Sequence, residues 1–190
     1  MQSAADAARF PAPGAPEIAF AGRSNVGKSS LLNSLMGARL AHVSSTPGRT
    51  RTINFFGVHE GKAERPAMVL ADLPGYGYAK ISKSISAEWP KFIEPYLRDR
   101  ETLVLTVVLV DACVPTQASD LQLVEWLQEH GRSYQIVATK TDRLSGNHRT
   151  HALRRIAHDF DADGILAYST KTGAGRDELW KRIHEAASRL

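Results

Sequence analysis

The chain has 190 residues, 43% hydrophobic and 23% charged, a balance that suits one folded domain with a full core and excludes a disordered or fibrous chain. Its single cysteine, Cys113, excludes an internal disulfide, no Cys/His cluster has zinc-site spacing, and no run reaches the roughly 18 apolar residues of a membrane span, so a reducing cytoplasm is expected. The net charge of +4 is uneven: residues 143–155 hold four arginines, two histidines and no acid, and residues 39–51 hold three arginines, one histidine and no acid, local excesses that could meet nucleic-acid phosphates.

Residues 1–15, rich in Ala and Pro, read as a flexible N-terminal arm without the basic start and apolar stretch of a secretory leader, ahead of a single domain over 16–190. Residues 17–21 form a short apolar strand that runs into a glycine loop, and residues 29–36 place Leu31, Leu32, Leu35 and Met36 at helical spacing. Residues 40–52 carry Ser, Thr, Pro and Gly without a period and read as a mobile loop. Residues 51–58 and 67–71 are two strands joined by a turn at Glu60-Gly61-Lys62. So short a connection makes the first antiparallel to its neighbour. A Gly/Tyr-rich loop over 72–84 precedes a helix at 87–98, whose shape Pro90 and Pro95 disturb. Residues 103–110 and 134–138 are continuous apolar runs of the kind buried on both faces of a parallel sheet, with a helix at 118–129 between them. A helix at 147–159, a strand at 164–168 and an amphipathic helix at 176–189 complete the chain. The alternation predicts a three-layer α/β domain: a mostly parallel six-stranded sheet with one antiparallel strand and helices on both faces.

Between the first strand and helix lies Gly22-Arg23-Ser24-Asn25-Val26-Gly27-Lys28-Ser29, with Ser30 next. In the pattern GxxxxGK[ST] the glycines let backbone N–H groups turn onto phosphate, and the helix N-terminus adds a favourable dipole. Lys28 is placed to reach β/γ-phosphates and Ser29 to reach Mg²⁺, which makes the fold a P-loop NTPase domain of the small G-protein type. Asp72-Leu73-Pro74-Gly75 ends a strand; Asp72 is placed to hold the metal's water shell and Gly75 to offer its N–H to the γ-phosphate. In the loop between, Thr46, Thr50 and Thr52 are each candidates for a second hydroxyl on Mg²⁺, and spacing does not choose among them. Thr139-Lys140-Thr141-Asp142 follows a strand at the sheet edge where nucleotides bind. A carboxylate there accepts hydrogen bonds from guanine N1–H and the exocyclic amine, Lys140 packs its stem over the ring, and adenine leaves the carboxylate unpaired. The expected ligand is therefore GTP or GDP. Tyr168 ends the last strand and Ser169, Thr170 and Lys171 follow it, where backbone N–H groups can close over guanine O6.

These motifs in order resemble the EngB family of bacterial ribosome-biogenesis GTP-binding proteins, of the TrmE-Era-EngA-EngB type, through PEIAFAGRSNVGKSSLLN (residues 16–33), STPGRTRTINFF (45–56) and DLPGYGYA (72–79). The resemblance implies that within Gly48-Arg49-Thr50-Arg51-Thr52 the switch threonine on Mg²⁺ is Thr50. Lys28, Thr50 and Gly75 are then the catalytic contacts, and Ser29, Thr50 and Asp72 the metal set. It also implies a role in assembling the large ribosomal subunit, whose precursor, rRNA and proteins together, is the expected partner, and a need for the protein in normal cell division and septation. Two residues bear on rate. Tyr76 stands where many signalling GTPases carry the glutamine that orients the attacking water, so slow intrinsic hydrolysis, accelerated by a partner, is expected. Asn25 matches a position that in some related GTPases helps hold K⁺ near the phosphates.

Residues 40–52 and 73–84, which carry Arg49, Arg51, Lys80 and Lys83, are expected to order with GTP and loosen after hydrolysis. Tyr76 and Tyr78 either stack on bases or pack their loop against the domain. The chain is expected to act as a monomer, and without a lipidation motif at either end, no stable membrane association is expected. The competing readings are a P-loop kinase acting on a small molecule and a GTP-binding module without turnover.

Overall fold

The computed structural model describes residues 2–38, 52–76 and 91–190. Its strands are β1 (Gln2–Ala4), β2 (Glu17–Gly22), β3 (Ile53–Val58), β4 (Met68–Asp72), β5 (Leu103–Asp111), β6 (Tyr134–Thr139) and β7 (Leu166–Ala167), and its helices α1 (Lys28–Met36), α2 (Ile93–Asp99), α3 (Ala118–Glu129), α4 (Gly146–Asp159) and α5 (Arg176–Ala187). The strands form one sheet in the order β1-β3-β4-β2-β5-β6-β7. β2 lies parallel between β4 and β5, and β6 lies parallel between β5 and β7. β3 is antiparallel to β4, as the short turn through Gly61 requires, and antiparallel also to β1.

The sheet has seven strands where the sequence pattern predicts six. The addition is β1, within the segment read as the arm: Ser3 donates from Oγ to Asn54 Oδ1 at 2.7 Å, and Ala4 is buried. Three small or polar residues carry no strand signature of their own; pairing with the otherwise open edge of β3 makes them a strand. Other boundaries move by a few residues. The last strand shrinks to Leu166–Ala167 and the last helix stops at Ala187. In α2, Pro95 sits in the first turn, where a missing N–H costs no intrahelical bond. Residues 87–90 of the helix expected there lie outside the described residues.

Alternation along each central strand feeds two cores. Ile18 and Phe20 of β2, with Val107 and Leu109 of β5, pack against Leu31 and Leu35 of α1 and Leu179 and Ile183 of α5. Ala19, Ala21, Val108 and Val110 face the other way, against Leu97 of α2, Leu123 and Leu127 of α3 and Ile156 of α4. At the start of β2 the buried Glu17 carboxylate accepts hydrogen bonds from Tyr96 Oη (2.9 Å), Thr102 Oγ1 (2.8 Å) and Arg100 Nε (2.9 Å). The Arg100 guanidinium in turn lies 5.9 Å from the ring centre of Phe10, and Phe10 meets Phe55 and Tyr96 edge-on. This end fastens the N-terminal residues to the sheet and leaves the opposite edge to the site. There the register sets Phe20 beside Asp72, Gly22 beside Leu109 and Asp111 beside Thr139, so the C-terminal ends of four strands open onto one crevice.

Candidate nucleotide-binding site

Beyond Gly22 the chain turns through Asn25 (φ 66°) and Gly27 (φ 104°) before Lys28 opens α1. Gly27 holds a left-handed conformation that strains any other residue, and as N-cap it supplies no side chain, so the first N–H groups of α1 face outward uncapped by a side chain. The Lys28 ammonium pairs with the Asp72 carboxylate at the end of β4, and both side chains are about nine-tenths buried. The two loops are laced together by backbone: Ser24 N–H donates to Tyr76 O at 3.0 Å and Tyr76 N–H to Gly22 O at 3.4 Å. A Cβ on Gly75 would stand 3.0 Å from Ser24 Oγ and 3.1 Å from Ser24 N, so a glycine is needed for Leu73, Pro74 and Gly75 to lie this close to the phosphate loop.

A cleft of about 450 Å³ adjoins this loop, lined by Gly27, Ser30, Thr139, Lys140, Asp142, Arg143, Tyr168, Thr170 and Lys171, a volume within the range of small-ligand sites. Hydrogen bonds between distant segments build its walls. Thr139 Oγ1 donates to Val26 O at 2.7 Å. Lys140, itself at φ 58°, donates from Nζ to Asn25 O (2.8 Å) and to Asp111 Oδ2 (2.7 Å), which stretches its aliphatic stem across to the phosphate loop. Thr141 Oγ1 donates to Tyr168 O at 3.0 Å, Tyr168 Oη to Ser34 Oγ at 2.9 Å, and Ser169 Oγ to Asp142 Oδ1 at 2.7 Å. Asp142 is thus aimed by a residue 27 positions away, with its carboxylate at the exposed rim of the cleft.

The structure therefore brings four of the sequence motifs together, three of them lining the cleft and Asp72–Gly75 joined to the phosphate loop beside it, with Ser29 and Ser30 half-buried in the first turn of α1. Gly48, Arg49, Thr50 and Arg51, together with Tyr78, Lys80 and Lys83, lie outside the described residues. Thr52 is described, and its hydroxyl lies 3.5 Å from Asn54 Oδ1. Sequence reasoning missed Asp111 as the partner of Lys140 and placed Arg143 in a basic run without seeing that it lines the cleft. It also missed Asp120. Tyr76 is buried, so of its two expected roles the packing one holds, and its hydroxyl donates to Asp120 Oδ1 on α3 at 3.0 Å.

Burial, and then the neighbouring Asp120, push the Tyr76 hydroxyl well above its ordinary range. Burial also raises the Asp120 carboxyl from 3.8 to about 6, against the Tyr76 hydrogen bond and the Arg23 charge, which pull it down. Folded Asp120 keeps its proton up to about pH 6 while the unfolded carboxyl loses it near 3.8, so this contribution to stability is full below the lower value and is lost as pH rises through the upper. Asp120→Asn retains an acceptor for Tyr76 and never ionises. It is expected to exceed the wild type in stability by about 1–3 kcal/mol at pH 8, with the gap closing toward pH 4; urea unfolding at the two pH values checks this, and a gap that does not change with pH would contradict it.

Comparison with known proteins places this geometry. The family model described as a 50S ribosome-binding GTPase matches residues 17–140. Probable GTP-binding protein EngB of Koribacter versatilis is 54% identical over 187 residues, covering 98% of this chain and 92% of the relative. Its counterpart in Acidobacterium capsulatum is 57% identical over 189 residues, with 99% and 90% coverage. Among solved structures, a probable GTP-binding protein EngB superposes with a TM-score of 0.71 at 23% identity, covering 92% of this chain and all of that one. Era in complex with MgGDPNP and a segment of 16S ribosomal RNA superposes with a TM-score of 0.72 at 24% identity, covering 90% of this chain and 56% of that one; these two likenesses show the fold. With the family model spanning well over half of its length and close relatives spanning nearly all of it, the chain belongs to the EngB family of GTP-binding proteins and is a GTPase.

Proposed function

We propose that this GTPase is a slow, magnesium-dependent switch that works in the cytoplasm on the precursor of the large ribosomal subunit, and through that assembly supports normal cell division and septation. The observation that carries the nucleotide reading is the cleft that holds Asp142, oriented by Ser169, and reaches Gly27 of the phosphate loop, where the next residue, Lys28, pairs with Asp72. Asp142 selects guanine through N1–H and the exocyclic amine, and Lys140 lays its stem along the base. Lys28 exchanges Asp72 for the β- and γ-phosphates, and the N–H groups of the phosphate loop and of Gly75 complete the cradle.

The Asp72 carboxylate and the Ser29 hydroxyl sit at the same helix start and are the hard oxygen donors that Mg²⁺ takes alongside phosphate oxygens. Together with Thr50 they are the residues assigned to the ion, which when bound neutralises charge on the phosphates as the γ-phosphoryl group passes to water. Asn25 is assigned to a K⁺ ion beside the same phosphates. The slow rate rests on Tyr76: in the place of a water-orienting glutamine stands a hydroxyl committed to Asp120. The ribosomal partner is supported by the description of the matched family as a 50S ribosome-binding GTPase. The chain should co-sediment with large ribosomal subunits roughly tenfold more with a non-hydrolysable GTP analogue than with GDP. Equal absence from the particle in GTP, GDP and analogue would overturn the ribosomal reading and leave the GTPase intact.

A further inference from the structure

Helix α4 carries arginine charge that no carboxylate among the described residues pairs with. From Gly146 to Asp159 it holds three arginines and three histidines, and its one acid is the last residue. Ala152 and Ile156 turn inward, which leaves the row Asn147, His151, Arg154, His158 exposed on the opposite side, while Arg149, seven residues before Ile156 and so on its side of the axis, is exposed in the first turn. Among the described residues no carboxylate comes within ion-pair distance of Arg149 or Arg154; the ion pair on this helix is His158 with Asp159 at 3.7 Å. A cation in a first turn without an acid also opposes the helix dipole. Helix α5 shows the ordinary solvated alternative: Asp177 and Glu178 occupy its first turn, and Arg182 pairs with Glu178 at 3.1 Å and with Glu185 at 3.8 Å.

The chemistry of this face selects its partner. Protein interfaces draw their energy from apolar and aromatic anchors, yet the large hydrophobics exposed among the described residues are Val114 and Leu190, neither of them on α4. Arginines spaced along a helix without such anchors suit a sugar-phosphate backbone, where planar guanidinium groups meet phosphate oxygens and released counterions supply affinity. The position matters as well. α4 leaves β6 and returns to β7 at one side of the sheet, whereas β3 and β4, which adjoin residues 39–51 and 77–90 in sequence, lie on the other side of β2.

We propose that the exposed first turn of α4, with Arg149, and its outward face, with Arg154, together dock the backbone of duplex RNA, and do so equally with GTP or GDP bound, as an anchor separate from the nucleotide-gated contact. The choice of RNA rests on the ribosomal reading above. The test uses the full chain and a labelled 20-base-pair RNA duplex, followed by anisotropy from 50 to 200 mM KCl in GDP and in a GTP analogue. Arg149→Glu with Arg154→Glu should bind at least tenfold more weakly, and its slope of log K against log salt should be shallower by about 2, from about −0.9 per phosphate contact. Arg149→Lys with Arg154→Lys should keep most of the affinity, which separates charge from misfolding. Equal binding by the charge-reversed variant, no binding by the wild type at 50 mM KCl, or more than tenfold dependence on the nucleotide would each overturn the proposal. So would a wild type that ignores RNA while the variant alone loses the large subunit, the mark of an acidic protein partner. A wild type that fails to co-sediment in any nucleotide state would defeat the ribosomal reading while the duplex titration still decides the role of α4.

Discussion

Asp142→Asn is expected to weaken GTP binding by about a hundredfold, or about 3 kcal/mol, and to turn the site toward xanthosine triphosphate. The carboxylate accepts from two guanine donors, N1–H and the 2-amino group. Asparagine keeps one acceptor and sets its own N–H against the amine, so one guanine donor loses its partner and meets another donor. Xanthine replaces the amine by a carbonyl oxygen, which that amide N–H can meet. Ser169 Oγ, 2.7 Å from Asp142 Oδ1, can donate equally to the amide oxygen, so the new side chain keeps its orientation. Competition titrations with GTP, XTP and ATP check the result. Unchanged GTP affinity would mean that Asp142 does not read the base.

Lys28→Met is expected to damage two things that separate cleanly. It removes the cation assigned to the β- and γ-phosphates, for a loss of GTP affinity of about a hundredfold or more. It also strands the Asp72 carboxylate, about nine-tenths buried against Lys28, and breaking a buried pair from one side costs about 3 kcal/mol of folding stability. Adding Asp72→Asn should restore most of the stability, because no buried charge is then left over, and none of the affinity. Urea unfolding and nucleotide titration of the two single variants and the double variant give both answers. Additive losses of stability in the double variant would show that the pair does not act as a unit.

The fold was legible where burial is continuous or strictly periodic. β5 and β6 are apolar runs that only a doubly covered sheet accommodates, and α3 occupies residues 118–129 as its spacing predicts. β1 was not, because Gln2, Ser3 and Ala4 become a strand through the edge of β3 and have no pattern of their own. In the site, each glycine and charge of a local motif could be read in place, since the motif is itself a stretch of backbone conformation. Pairs formed across the fold could not. Asp120 sits in the first turn of α3, where an acid is ordinary on dipole grounds, and nothing local marks it as the partner of Tyr76, 44 residues earlier. Asp111 likewise reads as the polar end of a strand until β6 sets Lys140 beside it.

Phosphate release from GTP, with and without large ribosomal subunits, tests most directly whether the GTPase is slow alone and timed by the ribosomal particle. Alone, the chain should turn over at a rate on the order of 10⁻³ per second or below. Large subunits should raise that rate at least tenfold, and replacing K⁺ by Na⁺ should lower it if Asn25 holds an ion as assigned. Fast release by the isolated chain, or a rate that the particle leaves unchanged, would contradict the account.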